Sequence, residues 1–445
     1  LEFTKRRLYY NRCKPNEPLS PDDERNLDID DFGTTRVRGV NWVEKLAGGI
    51  ELSEEPVFKL FTGLPGSGKS TELRRLVERL SRPAGAHLLT VLIDAEQVID
   101  LANPIDIPEI IAVILQGTEE AVLKAEGRDP DLALQEGYLT RLWNWLNATD
   151  VAFKTVEFAI PSGAKLVAEM KTRPSLRARV RETVATHLTT FLRQAREELE
   201  LLNVRARDRG YRGLIVIFDS LEKLRGISTN WDLVLNSAER IFGSGAPYLR
   251  LPVHVLYTIP PALALRLGEP VPFMPMIKLH DQDNRPFQPG LDAAREIVRR
   301  RVPDAVMADL LGPGSERRVG ELIRWSGGYP RELLRLLQSA FAVPSSPLSD
   351  GDFDRILNEL RDAYRRIVPA NTFEWLAGVA AKQYLTIQND DHRQAADHML
   401  ANNAILKYLN EHEWYELHPA VDQIPGVAEA RAALDRARDA TPAGG

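Results

Sequence analysis

One cysteine, Cys13, occurs in a chain of 445 residues. An intrachain disulfide is thereby excluded, and with it a four-cysteine zinc site. Long hydrophobic runs are equally scarce. The longest, such as Ile110 to Leu115, fall far short of the roughly 20 residues that span a bilayer. The N-terminal residues lack the apolar core of a signal peptide, so the expectation is a cytoplasmic protein with no membrane partner. An excess of positive charge is missing too. Lys and Arg number 57 against 63 Asp and Glu, a net charge of −6, which gives no general affinity for nucleic acid or anionic lipid. No repeat of 20 to 50 residues is found, which excludes a solenoid. What is present is ordinary for a globular protein, with 44% hydrophobic and 27% charged residues. The length exceeds what one core serves and predicts two or three packed units.

Residues 1–35 are polar and rich in Pro and Asp, with Leu8, Tyr9 and Tyr10 as anchors, and read as an extended arm. Residues 36–288 alternate short apolar runs with amphipathic stretches, the pattern of an α/β fold with a parallel sheet and helices on both faces. Its strands are expected at Val57 to Thr62, Leu88 to Ile93, Leu214 to Phe218 and Val253 to Thr258, with Met276 to Leu279 as a candidate fifth. An insertion at about 131–209 interrupts the rhythm. It is read as a hairpin, Val151 to Lys171 with its turn at Pro161 to Gly163, followed by one long helix. In that helix Leu176, Val180, Val184, Leu188, Phe191, Ala195 and Leu199 form an apolar stripe that belongs in a core. Residues 289–345 are helical and read as a lid. Residues 346–425 give three helices and then a hairpin, Ile405 to Leu409 against Trp414 to Leu417, which is the order of a winged helix. Residues 426–445 form a tail.

The chemistry sits at Gly63-Leu-Pro65-Gly66-Ser67-Gly68-Lys69-Ser70, a full Walker A pattern between a strand and a helix. Glycines let the backbone turn its N–H groups toward phosphate oxygens, and the helix that carries Thr71 presents its positive end. Lys69 brings a charge to the β and γ phosphates, and the Ser70 hydroxyl is a magnesium ligand. Those residues predict binding of ATP or ADP with Mg²⁺.

Leu214 to Phe218 followed by Asp219 is an apolar strand ending in a carboxylate, a Walker B arrangement that makes Asp219 the second magnesium residue. Asp94, after an earlier strand, is its rival and is one strand-helix unit too early. Ser220 takes the position after the Asp where a glutamate would polarise water, so hydrolysis is expected to be slow. Glu222 is either the water-orienting acid or a solvated residue at a helix start. Thr258 ends the next strand and is placed near the γ-phosphate if that strand neighbours the Walker B strand. Arg266, in the segment after it, is a candidate arginine finger for a neighbouring subunit.

These motifs resemble the AAA+ and STAND branches of the P-loop NTPases, switch ATPases that include bacterial defence proteins, with some likeness to KAP-type NTPases. The resemblance covers most of residues 37 to 420. Val37-Arg38-Gly39 looks like the family segment that wraps the adenine. Ser326-Gly-Gly328-Tyr-Pro330-Arg331 is similar to its Gly-x-Pro motif, which opens a lid helix, and His418 matches a winged-helix histidine that can reach ADP phosphates. The family's sensor arginine after the fourth strand is missing from Tyr257-Thr258-Ile259-Pro260, and Arg331 is the candidate to replace it. The resemblance implies a slow ATPase acting as a switch, coupling nucleotide state to self-association and to control of a separate sensor or effector protein in a defence or signalling system. The alternative is a DNA-binding initiator or loader. Gly351 to Pro425 carries seven basic and twelve acidic residues, a balance of −5, which disfavours DNA as partner of the winged helix. The runs Arg299 to Arg301 and Arg173 to Arg181 keep a basic groove open elsewhere.

Overall fold

The computed structural model describes residues 1–30, 32, 36–130, 140–142, 166–224, 226 and 229–439. By its contacts the chain divides into two compact units. One comprises Leu1–Trp42, Gly63–Glu72 and everything from Met274 onward, and the other Val43–Thr62 and Leu73–Phe273.

The second unit is built on a five-stranded sheet with β1 (Phe58–Gly63), β2 (Leu88–Asp94), β3 (Gly213–Asp219), β4 (His254–Thr258) and β5 (Phe273–Met274) in the order β2-β3-β4-β1-β5. The β1–β4, β4–β3 and β3–β2 pairs are parallel. All seven residues of β3 are buried, which is why Gly-Leu-Ile-Val-Ile-Phe-Asp reads as a continuous apolar run rather than an alternating one. Register places Phe218 opposite Tyr257 and Phe61 opposite Thr258, so β1, β4 and β3 all end at the same edge. The core beside the sheet comes from the helix Ile107–Ala125 and from the apolar stripe noted in the sequence, whose Leu176, Val184, Phe191, Ala195 and Leu199 are buried.

Three expectations for this unit change. The stripe lies on two helices, Pro174–Thr186 and Leu188–Asp208, because the backbone breaks at His187, which takes φ −128°. Residues Leu166–Thr172, expected as the second arm of a hairpin, are helical; the hairpin's first arm and turn lie outside the described residues. The fifth strand is Phe273–Met274, and residues 276–278 hydrogen-bond elsewhere in the first unit.

In the first unit, helices Gln288–Arg299, Asp304–Leu311, Ser315–Trp325 and Pro330–Ala342 share a core with Leu27, Ile29 and Val37. The arm is not wholly extended: Phe3–Arg12 is a helix. It is held by Tyr9 stacked on Phe341, by the Gln338 amide donating to Tyr10 O, and by Arg12 donating to the carbonyls of Arg300 and Arg301. Helices Asp350–Ile367, Phe373–Lys382 and Asp390–Ala401 precede an antiparallel hairpin of β6 (Ile405–Leu409) and β7 (Glu413–Leu417), in winged-helix order. The segment 276–278 ties these parts together. Met276 N donates to Lys407 O, Ile277 N to Gly328 O and Lys278 N to Val37 O. Met276 to Leu279 is therefore held by backbone hydrogen bonds without being a strand of the main sheet.

Candidate nucleotide site

The phosphate loop leaves β1 and enters the helix Lys69–Ser81. Gly66 and Gly68 take φ +83° and +99°, left-handed values that L side chains rarely adopt, which is what points successive N–H groups to one side. Lys69 is buried, and its ammonium donates to Gly63 O at 2.9 Å and Leu64 O at 3.1 Å, across the loop it would serve. Ser70 is partly exposed. Thr71 Oγ1 accepts from Leu19 N at 3.4 Å, which brings the N-terminal segment to the start of the helix. A cleft beside the loop is lined by Gly66, Gly68 and Thr71 with the apolar Leu27, Ile29 and Leu334.

Two orphaned donors mark the loop's surroundings. Ser67 Oγ and Arg331 Nε are buried without a hydrogen-bond partner. A side chain on Gly66 would run into Arg331 and Tyr329, at 2.7 Å from each, so the start of the helix Pro330–Ala342 touches the loop. A buried polar group left unpaired costs about 1–3 kcal/mol, and orphaned donors beside a lysine fit an anion such as a phosphate chain.

Arg38 is placed differently from the adenine role that the resemblance implies. It has no exposed surface, and its Nε and Nη2 donate to Asp30 at 2.7 Å and Glu72 at 2.8 Å, carboxylates that are themselves buried. Nη1 lies 3.3 Å from Met274 Sδ. Attraction to both acids outweighs burial and holds the guanidinium charged. A Cβ on Gly68 would meet Arg38 Nη1 at 3.9 Å, so Arg38 lies beside the loop. Gly39, at φ +83°, lies against Leu409 of β6.

His418 is fully buried and caps the short helix Pro419–Asp422, its Nδ1 accepting from Ala420 N at 3.2 Å. Burial pushes it down to about 3, so the ring is neutral. It stacks on Tyr364 at 4.3 Å, whose hydroxyl donates to the buried Glu332. Its Nε2 is buried without a hydrogen-bond partner. Pro330 opens its helix as the Gly-x-Pro reading expects, after Gly328 at φ +71°, where a Cβ would strike Ile277 O at 1.9 Å.

Sequence reasoning missed Asn403. This residue takes φ +56° between the helix Asp390–Ala401 and β6, and its Nδ2 donates to Pro65 O at 3.0 Å, within the phosphate loop. An Asn just before a strand hints at a left-handed turn, but its partner lies 338 residues away in the chain.

In the second unit, Asp219 ends β3 nearly buried, and its Oδ1 accepts from Ser220 N at 2.7 Å. Ser220 sits at φ +68°, a tight left-handed turn. The strand that carries Thr258 does neighbour the Walker B strand, yet the Thr258 hydroxyl is committed to the turn: it accepts from Leu221 N at 3.1 Å and donates to Phe218 O at 3.3 Å. Glu222 lies on the 3-10 turn Leu221–Lys223 and is buried, not a solvated helix-start acid. The rival Asp94 caps a helix start by accepting from Glu96 N. Arg266 is not a free finger, since it donates to Glu239 at 2.8 Å and Asn236 at 3.2 Å on the helix Trp231–Phe242.

Strand, glycine loop and helix in a parallel α/β sheet define a P-loop fold. The sequence matches no family model and no curated protein. Solved structures similar to it include Drosophila ORC bound to DNA, 12% identical, covering 97% of this chain and 93% of that one with a TM-score of 0.35. The ORC1 protein of Aeropyrum pernix in complex with DNA is 15% identical over 94% and 97%, with a TM-score of 0.33. Cdc6p of Pyrobaculum aerophilum is 11% identical over 95% and 98%, also at 0.33.

Proposed function

We propose that the protein is a magnesium-dependent ATPase of the AAA+ type whose nucleotide state is read by its C-terminal helices and hairpin. The supporting observation is the Asn403–Pro65 hydrogen bond, beside the contact of Tyr329 and Arg331 with Gly66. Elements from two distant parts of the sequence thus bear on the loop that holds phosphates. On this reading Lys69 leaves the carbonyls of Gly63 and Leu64 for the β and γ phosphates, and Arg331 gives its orphaned Nε–H to the nucleotide. Ser70 and Asp219 are the magnesium residues, and Mg²⁺ neutralises charge on the phosphates when bound. Ser220 has no basicity and Glu222 is the acid left to orient water, so turnover is slow. The output is self-association and control of a separate sensor or effector protein. A defence or signalling setting rests on the family resemblance alone.

A DNA-binding initiator or loader is the second reading, favoured by the winged-helix order of residues 350–417. Hydrogen exchange over residues 320–425, with ADP and then a non-hydrolysable ATP analogue, separates the two beside a DNA titration at two salt concentrations. The switch predicts nucleotide-dependent protection. Unchanged protection, with salt-sensitive DNA affinity that is lost in Arg393→Ala, would reject it in favour of the initiator.

A further inference from the structure

The second unit holds a cleft where the strands begin, at the edge of the sheet opposite Asp219. It lies between the start of β2, the start of β3, the residues leading into β1 and β4, and the end of the helix Trp42–Leu52, with a volume of about 220 Å³. The seven residues of β3 separate it from Asp219, roughly 20 Å at about 3.3 Å per strand residue.

Its polar lining is biased toward donors. His254 Nδ1 accepts from Val57 N at 3.1 Å, which leaves the ring's proton on Nε2 when the ring is neutral. Burial first, and the charge of Arg212 second, hold His254 below its ordinary value and keep it in that form. Asn203 uses its Oδ1 to accept from Leu214 N at 3.0 Å, so the side-chain NH₂ is the half left for a ligand. Arg207 gives Nε to Arg212 O at 3.3 Å, which anchors the side chain and leaves its terminal nitrogens available. The Arg212 backbone is tied to His87 O at 2.9 Å. Of the two acids in the lining, Glu51 has both oxygens taken by Arg79, at 2.8 and 2.9 Å. That leaves Glu54 against two arginines, a local excess of positive charge in a chain that is acidic overall.

We propose that this cleft is a second ligand site, separate from the phosphate loop, which takes a small oxyanion: Arg207 and Arg212 supply the charge, and His254 Nε2–H and the Asn203 amide fix its orientation. Guanidinium groups match phosphate and carboxylate alike, and neutral donors at fixed angles turn attraction into selection for a bound geometry. The ligand spans the starts of β2, β3 and β4, so its binding ties the helix Leu188–Asp208 to the sheet edge.

The test uses the full chain and follows the His254 imidazole by nitrogen-detected NMR, assigned against His254→Gln. Sodium phosphate and sodium malonate are titrated separately, with sodium chloride at matched ionic strength as control. The expected result is a saturable displacement of the His254 signals by one anion, with the His254 pKa moving upward as negative charge arrives. Affinity should fall about tenfold or more in Arg207→Gln/Arg212→Gln, the loss expected for charge-assisted hydrogen bonds. Both arginines are exposed, so the variant should keep its fold, and the signals of the other histidines report on that. Arg212→Gln alone is the second variant, with a smaller loss. Preference for phosphate or for malonate assigns the ligand as a phosphoryl or a carboxylate compound. Displacement matched by chloride, no saturation by roughly 10 mM of either anion, well above a millimolar Kd, or an affinity unchanged in both variants would overturn the site.

Discussion

Replacing Arg38 by methionine removes the charge that two buried acids share. The structure gives Arg38, Asp30 and Glu72 at most 2% exposure, with the ion pairs at 2.7 and 2.8 Å. Asp30 also accepts from Trp42 N at 3.1 Å, and Trp42 Nε1 donates to Arg38 O at 3.4 Å, so the cluster fixes the chain where it turns into the helix Trp42–Leu52. Methionine fills most of the volume but takes from two buried carboxylates the guanidinium that they share. Breaking one buried ion pair by deleting a partner costs about 3–5 kcal/mol, and protonation of one acid caps the total near that figure. The opening free energy should therefore fall by about 3–5 kcal/mol in Arg38→Met, and most of it should return in Arg38→Met/Asp30→Asn/Glu72→Gln. The assay is hydrogen exchange in a urea series, read on peptides covering residues 26–30, 36–48 and 69–81. A chain of two units has no single unfolding free energy, whereas local opening can be assigned. An Arg38→Met protein with unchanged protection but weaker ATP binding would refute this reasoning and restore the adenine contact that the family resemblance implies.

Lys69→Ala should abolish tight binding of ATP with Mg²⁺ while the fold persists, as isothermal titration will show; unaltered affinity would remove the site. Thr258→Val takes the acceptor from Leu221 N in a buried turn, a cost of about 1–3 kcal/mol. Thr258→Ser should restore it, with exchange at Leu221 as the readout. His280 is raised above its ordinary value by its hydrogen bond to Glu416 on β7, at 3.1 Å. A raised folded pKa adds stability that is fully present below the unfolded value near 6.5 and is lost as pH rises through the folded one. Protection of residues 405–417 should accordingly fall from pH 6 toward pH 8, and Glu416→Gln should flatten that dependence. Phosphate release in a single turnover should stay near the order of 10⁻² s⁻¹ typical of slow switch NTPases, with Glu222→Gln slower still; several turnovers per second would count against the Ser220 argument.

The phosphate loop, four of the five strand positions in outline and the helical character of residues 289–345 were legible because they depend on local signals. A glycine pattern specifies backbone conformation within eight residues, and continuous apolar runs mark strands buried on both faces. The helix Phe3–Arg12 was not legible, since its sequence is polar and it owes its place to Phe341, Gln338 and the carbonyls of Arg300 and Arg301. The break at His187 was hidden because the apolar stripe continues in phase across it, and periodicity registers burial more than backbone continuity.

Side-chain partnership lay further out of reach. Sequence identifies Arg38, Thr258, Arg266 and His418 as polar residues in suggestive places, but each acts according to what the fold sets beside it. Arg38 meets acids 8 and 34 positions away, Thr258 meets a backbone N–H 37 positions away, and Asn403 meets Pro65 at a separation of 338. The glycine pattern of the loop could be read directly, because it is carried by consecutive residues. Which other polar groups reach the loop, and which are spent on holding the fold, emerges from the folded chain alone, because a hydrogen bond is settled within about 3 Å of space and chain distance does not encode it.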